Sequence, residues 1–382
     1  MDVTVTAALI VRNEYRCIRR CLDSICNIFD EVIIVDTGSS DGTLRIINDF
    51  INKKNLLFQI EWAENFSHAR NFAIDKASSD YIFFIDADEH LKTDKEELLG
   101  KIKKHHANKK NLTAFCPEII NHDNNSSKGI GRIFRNDGDF FYAGFVHEEL
   151  RHKSDSDISL IDIDIVLFHD GYESKIVNLK NKIERNNILN NKNIKKEPFN
   201  LRWHYFYFRD NFSRLDPNAV CDRIISTLKI KHDKDLQWEN ITICKYTFPM
   251  LDLLANALLI TLNDEVKFKE VIRLMRKIIP FNSNALYYEL IYDIAKFKSL
   301  AKERIRQIIE YNSGPPRNHD GMIHSEGLHL DAALAFYLFE VGLTEQSEKL
   351  LRSISDNGFT SEMTRFYFKY MNSSRNEAGY EH

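Results

Sequence analysis

Short apolar blocks divide the first part of this chain, and most of them run into an acid or a polar loop. The sharpest is Tyr81-Ile82-Phe83-Phe84-Ile85, which leads straight into Asp86-Ala87-Asp88-Glu89. An unbroken run of this length reads as a strand buried on both faces. Residues 4–11, 31–35 and 56–62 read as further strands. Between them, residues 15–28 place Ile18, Cys21, Leu22 and Ile25 at helical spacing. Residues 43–51 and 67–77 also read as helices, and Ser40 or Asp41 suits the cap of the first of these. Alternation of this kind predicts a parallel sheet covered by helices on both faces.

Glu14, Asp36 and the Asp86/Asp88 pair stand at the carboxyl ends of three of these strands. Ligands of open α/β sheets bind at that edge. Two carboxylates at i and i+2 lean the same way and repel. A divalent cation with a phosphate ligand resolves the repulsion, although an acidic turn capping the next helix gives the same spacing. No glycine pattern matches a dinucleotide fingerprint or a P-loop.

Past Asp88 the pattern turns mostly to β. A helix at 95–105 precedes a strand at 113–120, a polar loop at 121–128 and apolar segments at 132–135 and 140–149. Another strand follows at 158–168, so a mixed sheet with an antiparallel layer is expected. Residues 175–192 form a charged helix, and from 201 onward the chain reads as helical. Pairs are expected at 201–214 with 219–231, 246–262 with 268–279, 285–297 with 301–311, and 326–340 with 345–353. The loop 312–316 marks one break. Spacing of roughly 35 to 45 residues per pair fits a helical-hairpin solenoid of tetratricopeptide-like units, and Trp203, Tyr207 and Pro280 echo that repeat. The expected domains are 1–175, a connecting helix at 176–200, and a helical domain at 201–382.

Composition narrows the class. A hydrophobic fraction of 43% over 382 residues supports real cores. The net charge of -4 argues against nucleic acid as a partner. Cys17, Cys21 and Cys26 lack zinc-ribbon spacing, so the six cysteines read as free thiols in a reducing cytosol. Asp2 occupies the place of a signal peptide's basic region, and no apolar run approaches about 18 residues. A cytoplasmic protein without stable membrane insertion is expected.

Seven segments in order carry a resemblance. They are Ile10-Val11-Arg12-Asn13-Glu14, Asp36-Thr37-Gly38-Ser39-Ser40-Asp41-Gly42-Thr43 and Phe66-Ser67-His68-Ala69-Arg70-Asn71, then Phe84-Ile85-Asp86-Ala87-Asp88-Glu89. Arg132-Ile133-Phe134-Arg135, Gly144-Phe145-Val146-His147-Glu148 and His169-Asp170-Gly171-Tyr172 complete the set. With them, residues 8–172 resemble a family 2 glycosyltransferase of the GT-A fold, an α/β domain, here followed by an all-α helical-repeat domain. A narrower likeness is to the S-glycosyltransferases that modify a cysteine of glycocin bacteriocin precursors, the sublancin type. The chain starts directly at the first strand, so a helical extension before the catalytic domain is expected to be absent. The motifs also resemble transferases of surface polysaccharide, lipopolysaccharide core and lipid-linked acceptors.

The resemblance implies a UDP-sugar donor, Mn²⁺ or Mg²⁺ and inversion at the anomeric carbon, and the narrower likeness a peptide acceptor; the helical domain is expected to grip that peptide or to pair two subunits as a homodimer. The resemblance also implies Asp88 as metal ligand, with His169 completing the metal site. Asp86 would take the ribose hydroxyls, or the metal through water, and Asp36 the uracil or ribose. Arg70 would take the base or the diphosphate. Val11, Asn13, Glu14, Ser39, Asp41, Ala87 and Arg135 would line the donor site. Glu148 is the expected base and Glu149 its rival, since neighbours on a strand face opposite ways. Asp88-Glu89 is a further source of the base. His147 would position the acceptor or a phosphate. The sugar is not legible. A rival reading is a non-catalytic helical scaffold, which the retained acids argue against.

Overall fold

The structure is a computed structural model. It describes residues 3–106, 112–169, 176–229, 241, 243–314, 323–324 and 326–377. The chain divides into two compact units, Met1–Asn211 and Phe212–His382. Asp170, Gly171 and Tyr172 of the last motif, and Pro315 and Pro316 of the expected break, lie outside the described residues.

The first unit opens with β1 (Val5–Val11), α1 (Ile18–Ile25), β2 (Glu31–Asp36), α2 (Thr43–Asn48), β3 (Asn55–Gln59), α3 (Phe66–Lys76) and β4 (Tyr81–Phe84). It continues with β5 (Glu89–Leu91), α4 (Lys95–His106), β6 (Thr113–Asn121), β7 (Ser126–Ser127), β8 (Ile133–Arg135), β9 (Phe140–Ala143), β10 (Glu149–His152) and β11 (Ser159–His169). Helices α5 (Ile176–Lys196) and α6 (Leu201–Asn211) close the unit. The first part of the expected helical domain therefore groups with the sheet.

The sheet order is β3-β2-β1-β4-β8-β6-β11-β5. Strands β3, β2, β1 and β4 run parallel, as the alternation predicts. β8 then lies antiparallel between β4 and β6, and β11 is parallel to β6. The result is the expected mixed α/β sheet.

Residue parity explains why its central strands are apolar throughout. Ala7, Leu9, Val32, Ile34, Phe83 and Ile85 enter one core with Ile18, Leu22 and Ile25 of α1. Ala8, Ile33, Val35, Ile82 and Phe84 enter the core on the other face, with Ala73 of α3 and Phe134. Each such large side chain contributes about 1.5–3 kcal/mol of burial, so a charge on either face would break the sheet. Ala69 and Ala73 are the buried, small residues of α3, which lets that helix approach the strands closely.

The second unit is helical. A 3-10 turn (Phe212–Arg214) leads to α7 (Pro217–Lys229), α8 (Thr247–Thr261), α9 (Glu265–Ile278), α10 (Ser283–Asn312), α11 (Leu328–Glu340), α12 (Thr344–Asp356) and α13 (Glu362–Glu377). Packing of α8 on α9 and of α11 on α12 gives two of the expected hairpins, and α7 packs on α8 as well. The expected pair at 285–297 and 301–311 is instead one continuous helix. No glycine or proline interrupts 283–312, so nothing stops the helix. Its buried stripe shifts from Ala285, Tyr288 and Tyr292 to Ala301, so one helix serves two sets of neighbours. α13 lay beyond the expected pairs; its Tyr367 packs on Phe336 and Phe339 of α11. No helix among the described residues is long and apolar enough to cross a membrane.

Gly144, just after β9, shows how tightly α6 meets the β-ribbon. Its φ is +109°, and a Cβ there would lie 2.6 Å from Trp203 Cη2. Trp203 cannot swing away easily, because it is buried and its indole N–H donates to Glu197 at 2.9 Å. Gly144→Ala is expected to lose about 2 kcal/mol or more from strain and overpacking. The check is a melting curve on the full chain, with Trp203→Leu recovering part of the loss only in the double variant.

Candidate active site

The carboxyl ends of β1 and β2 are laced together before any ligand arrives. Asp36 is buried at the end of β2, and its Oδ2 accepts the Gly38 and Ser39 N–H groups, both at 3.0 Å. Asn13 adopts a left-handed φ of 58°. From there its N–H donates to Ser39 Oγ at 2.9 Å and its Oδ1 accepts the Ser40 N–H at 2.7 Å. The Glu14 N–H donates to Thr43 Oγ1 at 2.8 Å. Asp41 accepts the Tyr15 N–H at 3.2 Å and the Thr43 N–H at 3.0 Å. Gly42, rather than Ser40 or Asp41, stands at the helix cap. Burial works against the Asp41 charge, but the Thr43 and Tyr15 hydrogen bonds outweigh it and hold its carboxyl below the usual range. Burial pushes the Glu14 carboxyl up, against a Cys17 thiol that donates to it at 3.1 Å.

One atom in this loop is unpaired. Asp36 Oδ1 is buried without a hydrogen-bond partner. A buried lone acceptor costs about 1–3 kcal/mol until a donor reaches it. Val11 and Ala87 are buried; Val11 takes part through its carbonyl, which accepts the Thr37 N–H at 3.0 Å.

At the end of β4 the acids meet two arginines. Asp86 Oδ2 lies 2.8 Å from Arg132 Nη2, and its Oδ1 lies 3.3 Å from Arg70 Nη2. The same Arg132 nitrogen reaches Glu89 Oε1 at 3.2 Å. Glu89 Oε2 accepts the Asp86 N–H at 2.8 Å. Burial disfavours both charges. At Asp86, Arg132 and Arg70 prevail and hold the carboxyl far below the carboxylate range. At Glu89 burial prevails and pushes it up.

The Arg70 guanidinium lies against the rings of Phe84 and Tyr142, 5.0 and 5.1 Å from their centroids. The α3 cap aims it: Asn65 Oδ1 accepts the His68 N–H, fixing the helix start one turn earlier. Arg70 Nε donates to Glu148 Oε1 at 2.6 Å. Glu149 faces elsewhere, with Arg151 nitrogens 2.9 and 2.7 Å away. His147 stacks on Phe206 at 4.0 Å, and its Nε2–H donates to Asp210 Oδ2 at 3.0 Å. The geometry thus brings Glu148, and not Glu149 or the His147 ring, to the Arg70–Asp86 group.

Asp88 and His169 also meet. His169 Nε2 lies 3.1 Å from Asp88 Oδ2, and its Nδ1–H donates to Asn121 Oδ1 at 3.0 Å. Their strands make this possible, because His169 pairs with Asn121 on β6 and with Glu89 on β5. Hydrogen bonding to Asp88 raises the imidazole pKa, and burial opposes it.

Arg135 does not join the cluster. It pairs with Tyr81, at the start of β4, while Asp86 follows the other end. Arg132 takes the place expected of it. Sequence reasoning also missed Asn121, Arg202 and Asp210. Arg132 stood in a quoted motif, but only the antiparallel register of β8 decides which arginine reaches the acids. A separate group, Asp137, Asp139 and His152, brings ligand atoms within 4.8 Å of one another. It follows Arg135 and so lies toward the opposite sheet edge.

Residues 6–146 match the family model "Glycosyl transferase family 2". The SPbeta prophage-derived glycosyltransferase SunS of Bacillus subtilis is 32% identical over 210 residues, 54% of this chain and 49% of that protein. A TPR repeat-containing protein of Synechococcus elongatus is 44% identical over 87 residues, 23% of this chain and 21% of that protein. The chain spans about half the length of the SunS relative, or less of others. Among solved structures, S. aureus TarS 1-349 in complex with UDP-GlcNAc aligns with a TM-score of 0.37 and 16% identity, covering 78% of this chain and 91% of that one. The segment that matches the family model runs from β1 to the approach of the Glu148 loop.

Proposed function

We propose that the chain is an inverting, metal-dependent glycosyltransferase. It would move a sugar from a UDP-sugar to a cysteine (or serine) side chain of a bacteriocin-type peptide. The observation that carries this is the Asp88–His169 pair, oriented by Asn121. A carboxylate and an imidazole whose other N–H is fixed by an amide oxygen form a donor set suited to a divalent cation. Asp88 and His169 would hold Mn²⁺ or Mg²⁺, which when bound supplies Lewis-acid stabilisation to the leaving diphosphate.

The chain's own residues supply the rest. Asp36 Oδ1 would accept a hydrogen bond from the base or ribose of the donor. Asp86 keeps 41% of its side-chain surface open, which suits the ribose hydroxyls. Arg70 holds Glu148 in the same ion-pair group as Asp86. In the transfer, the acceptor sulfur bonds to the anomeric carbon as the bond to the diphosphate oxygen breaks. The thiol proton goes to Glu148, and UDP leaves with the bonding electrons. The resemblance of the motif set to glycocin S-glycosyltransferases supports the peptide thiol.

A second copy of the chain is the partner we propose for α10. Its exposed Tyr287, Leu290, Ile294 and Phe297 follow coiled-coil spacing. Antiparallel self-pairing about residue 292 would match Tyr287 with Phe297, and Leu290 with Ile294.

UDP with Mn²⁺ should stabilise the full chain synergistically, by about 2.7 kcal/mol at a hundred times Kd. Asp88→Ala should abolish the synergy, and Asn121→Leu should weaken Mn²⁺ binding about 10–100-fold. Thermal shift reads both, and an unchanged Asp88→Ala response would remove that residue from the site. Glu148→Gln should bind UDP normally yet lose transfer to a peptide thiol, followed by mass spectrometry. Full transfer would move the base elsewhere, and transfer to glycan but never to peptide would overturn the acceptor. Leu290→Lys with Ile294→Lys should convert a dimer to a monomer in sedimentation; a monomeric wild type sinks the pairing.

A further inference from the structure

The loop between β9 and β10 carries Glu148, and its conformation is imposed from outside it. His147, the preceding residue, sits at φ 52°, a left-handed conformation uncommon for a side chain without local hydrogen bonding. No turn glycine explains it. Three residues of α6 converge there instead: Arg202, Phe206 and Asp210, spaced i, i+4 and i+8 along one face of the helix.

Each grips a different part of the loop. Arg202 Nε and Nη2 donate to the His147 carbonyl at 2.8 and 2.6 Å. Its Nη2 also donates to the Glu148 carbonyl at 3.1 Å, and its Nη1 lies 3.6 Å from Glu149 Oε2. Phe206 stacks on the His147 ring with an interplanar angle of 8°. Asp210 accepts the ring N–H. From α5, Asn193 takes both the Phe145 N–H at 2.7 Å and the Val146 carbonyl at 2.9 Å.

Packing alone does not require this stripe. α6 already buries Trp203 and Phe208 on its apolar side. A guanidinium with only 12% of its side chain exposed is spent on two successive carbonyls and a carboxylate. Beside that contact His147 is left-handed, Glu148 turns to Arg70 and Glu149 turns to Arg151.

We propose that Arg202, Phe206 and Asp210 form a brace that positions the general base, holding His147 left-handed so that the Glu148 carboxylate faces Arg70 in the ion-pair group of Asp86. His147 is then a positioning residue rather than a contact for the acceptor. The proposal rests on the transferase reading for the role of Glu148, but the brace itself is measurable without it.

The test uses the full chain and three variants, Arg202→Met, Arg202→Lys and Asp210→Asn. The probe is hydrolysis of UDP-glucose, UDP-galactose and UDP-N-acetylglucosamine with Mn²⁺. In it a water oxygen joins the anomeric carbon, the diphosphate bond breaks, Glu148 takes the proton and UDP departs. Amide hydrogen exchange across 144–149 and UDP affinity by calorimetry are measured alongside. Arg202→Met should lower turnover about 10–100-fold, the loss a small misplacement of a reacting group produces, with KM and UDP affinity within about twofold. Exchange at 147–149 should quicken. Arg202→Lys should recover part of both, since an ammonium cannot span two carbonyls as a fork does. Asp210→Asn keeps the volume, and should show the same pattern more weakly even if Arg202→Met fails to fold. Wild-type exchange and turnover in the folded variants overturn the brace, as does a loss of UDP affinity in parallel with turnover. A wild type that neither binds UDP nor hydrolyses any of the three donors sinks the transferase reading, a separate result. The exchange data then decide alone whether α6 holds the loop.

Discussion

Five charged side chains in contact hold the candidate site together: Glu148, Arg70, Asp86, Arg132 and Glu89, in that order. Each acid touches an arginine, and each arginine touches two acids. The chain of charges begins at a loop, passes through a helix and a strand end, and finishes on β5. Those elements are far apart in sequence, so the ion pairs are what register them against one another at the sheet's carboxyl edge. Removing either arginine strands a mostly buried acid, Glu148 without Arg70 or Glu89 without Arg132, which typically costs about 3–5 kcal/mol.

The same chain makes stability depend on pH in two opposed ways. Asp86 has a folded-state pKa below its unfolded value, so its contribution is present above the ordinary aspartate range and is lost as pH falls from there through the lower folded-state value. Glu89 has a folded-state pKa above its unfolded value. Its contribution is complete only below the ordinary glutamate range and declines as pH rises toward the folded value. Arg132 serves both, and its Nε and Nη1 remain buried without partners. The cluster is therefore not built for maximum stability. Apolar residues of similar volume would do that better, which is consistent with a role for the charges themselves.

Much of this was legible in the sequence, and the reasons are physical. Continuous apolar runs are sufficient evidence of doubly buried strands, and acids that end them mark the ligand edge. The Asp88–His169 meeting was anticipated from motif resemblance alone. Register was not legible: Arg132 and Arg135 differ by three positions, and only pairing of β8 against β4 separates the one beside Asp86 from the one beside Tyr81. Asn121 gave no signal, since an amide at a strand end is ordinary until its neighbour proves to be an imidazole. Helix α10 was divided in two because its buried stripe changes face near Ala301, which mimics a turn in a pattern read without geometry. The spacing of Arg202, Phe206 and Asp210 was visible, but three polar and aromatic residues on a helix point nowhere until a loop is seen opposite.

Asp36 carries a consequence for selectivity. Its free oxygen is an acceptor that can gain only from a ligand atom bearing hydrogen. A base that presents an N–H there would relieve an existing deficit; one that presents a lone pair would meet repulsion. In the proposed donor site, discrimination between pyrimidines would come less from attraction to the right base than from rejection of the wrong one. The Gly38 and Ser39 amides, by pinning the other oxygen, prevent the carboxylate from rotating to accommodate the error.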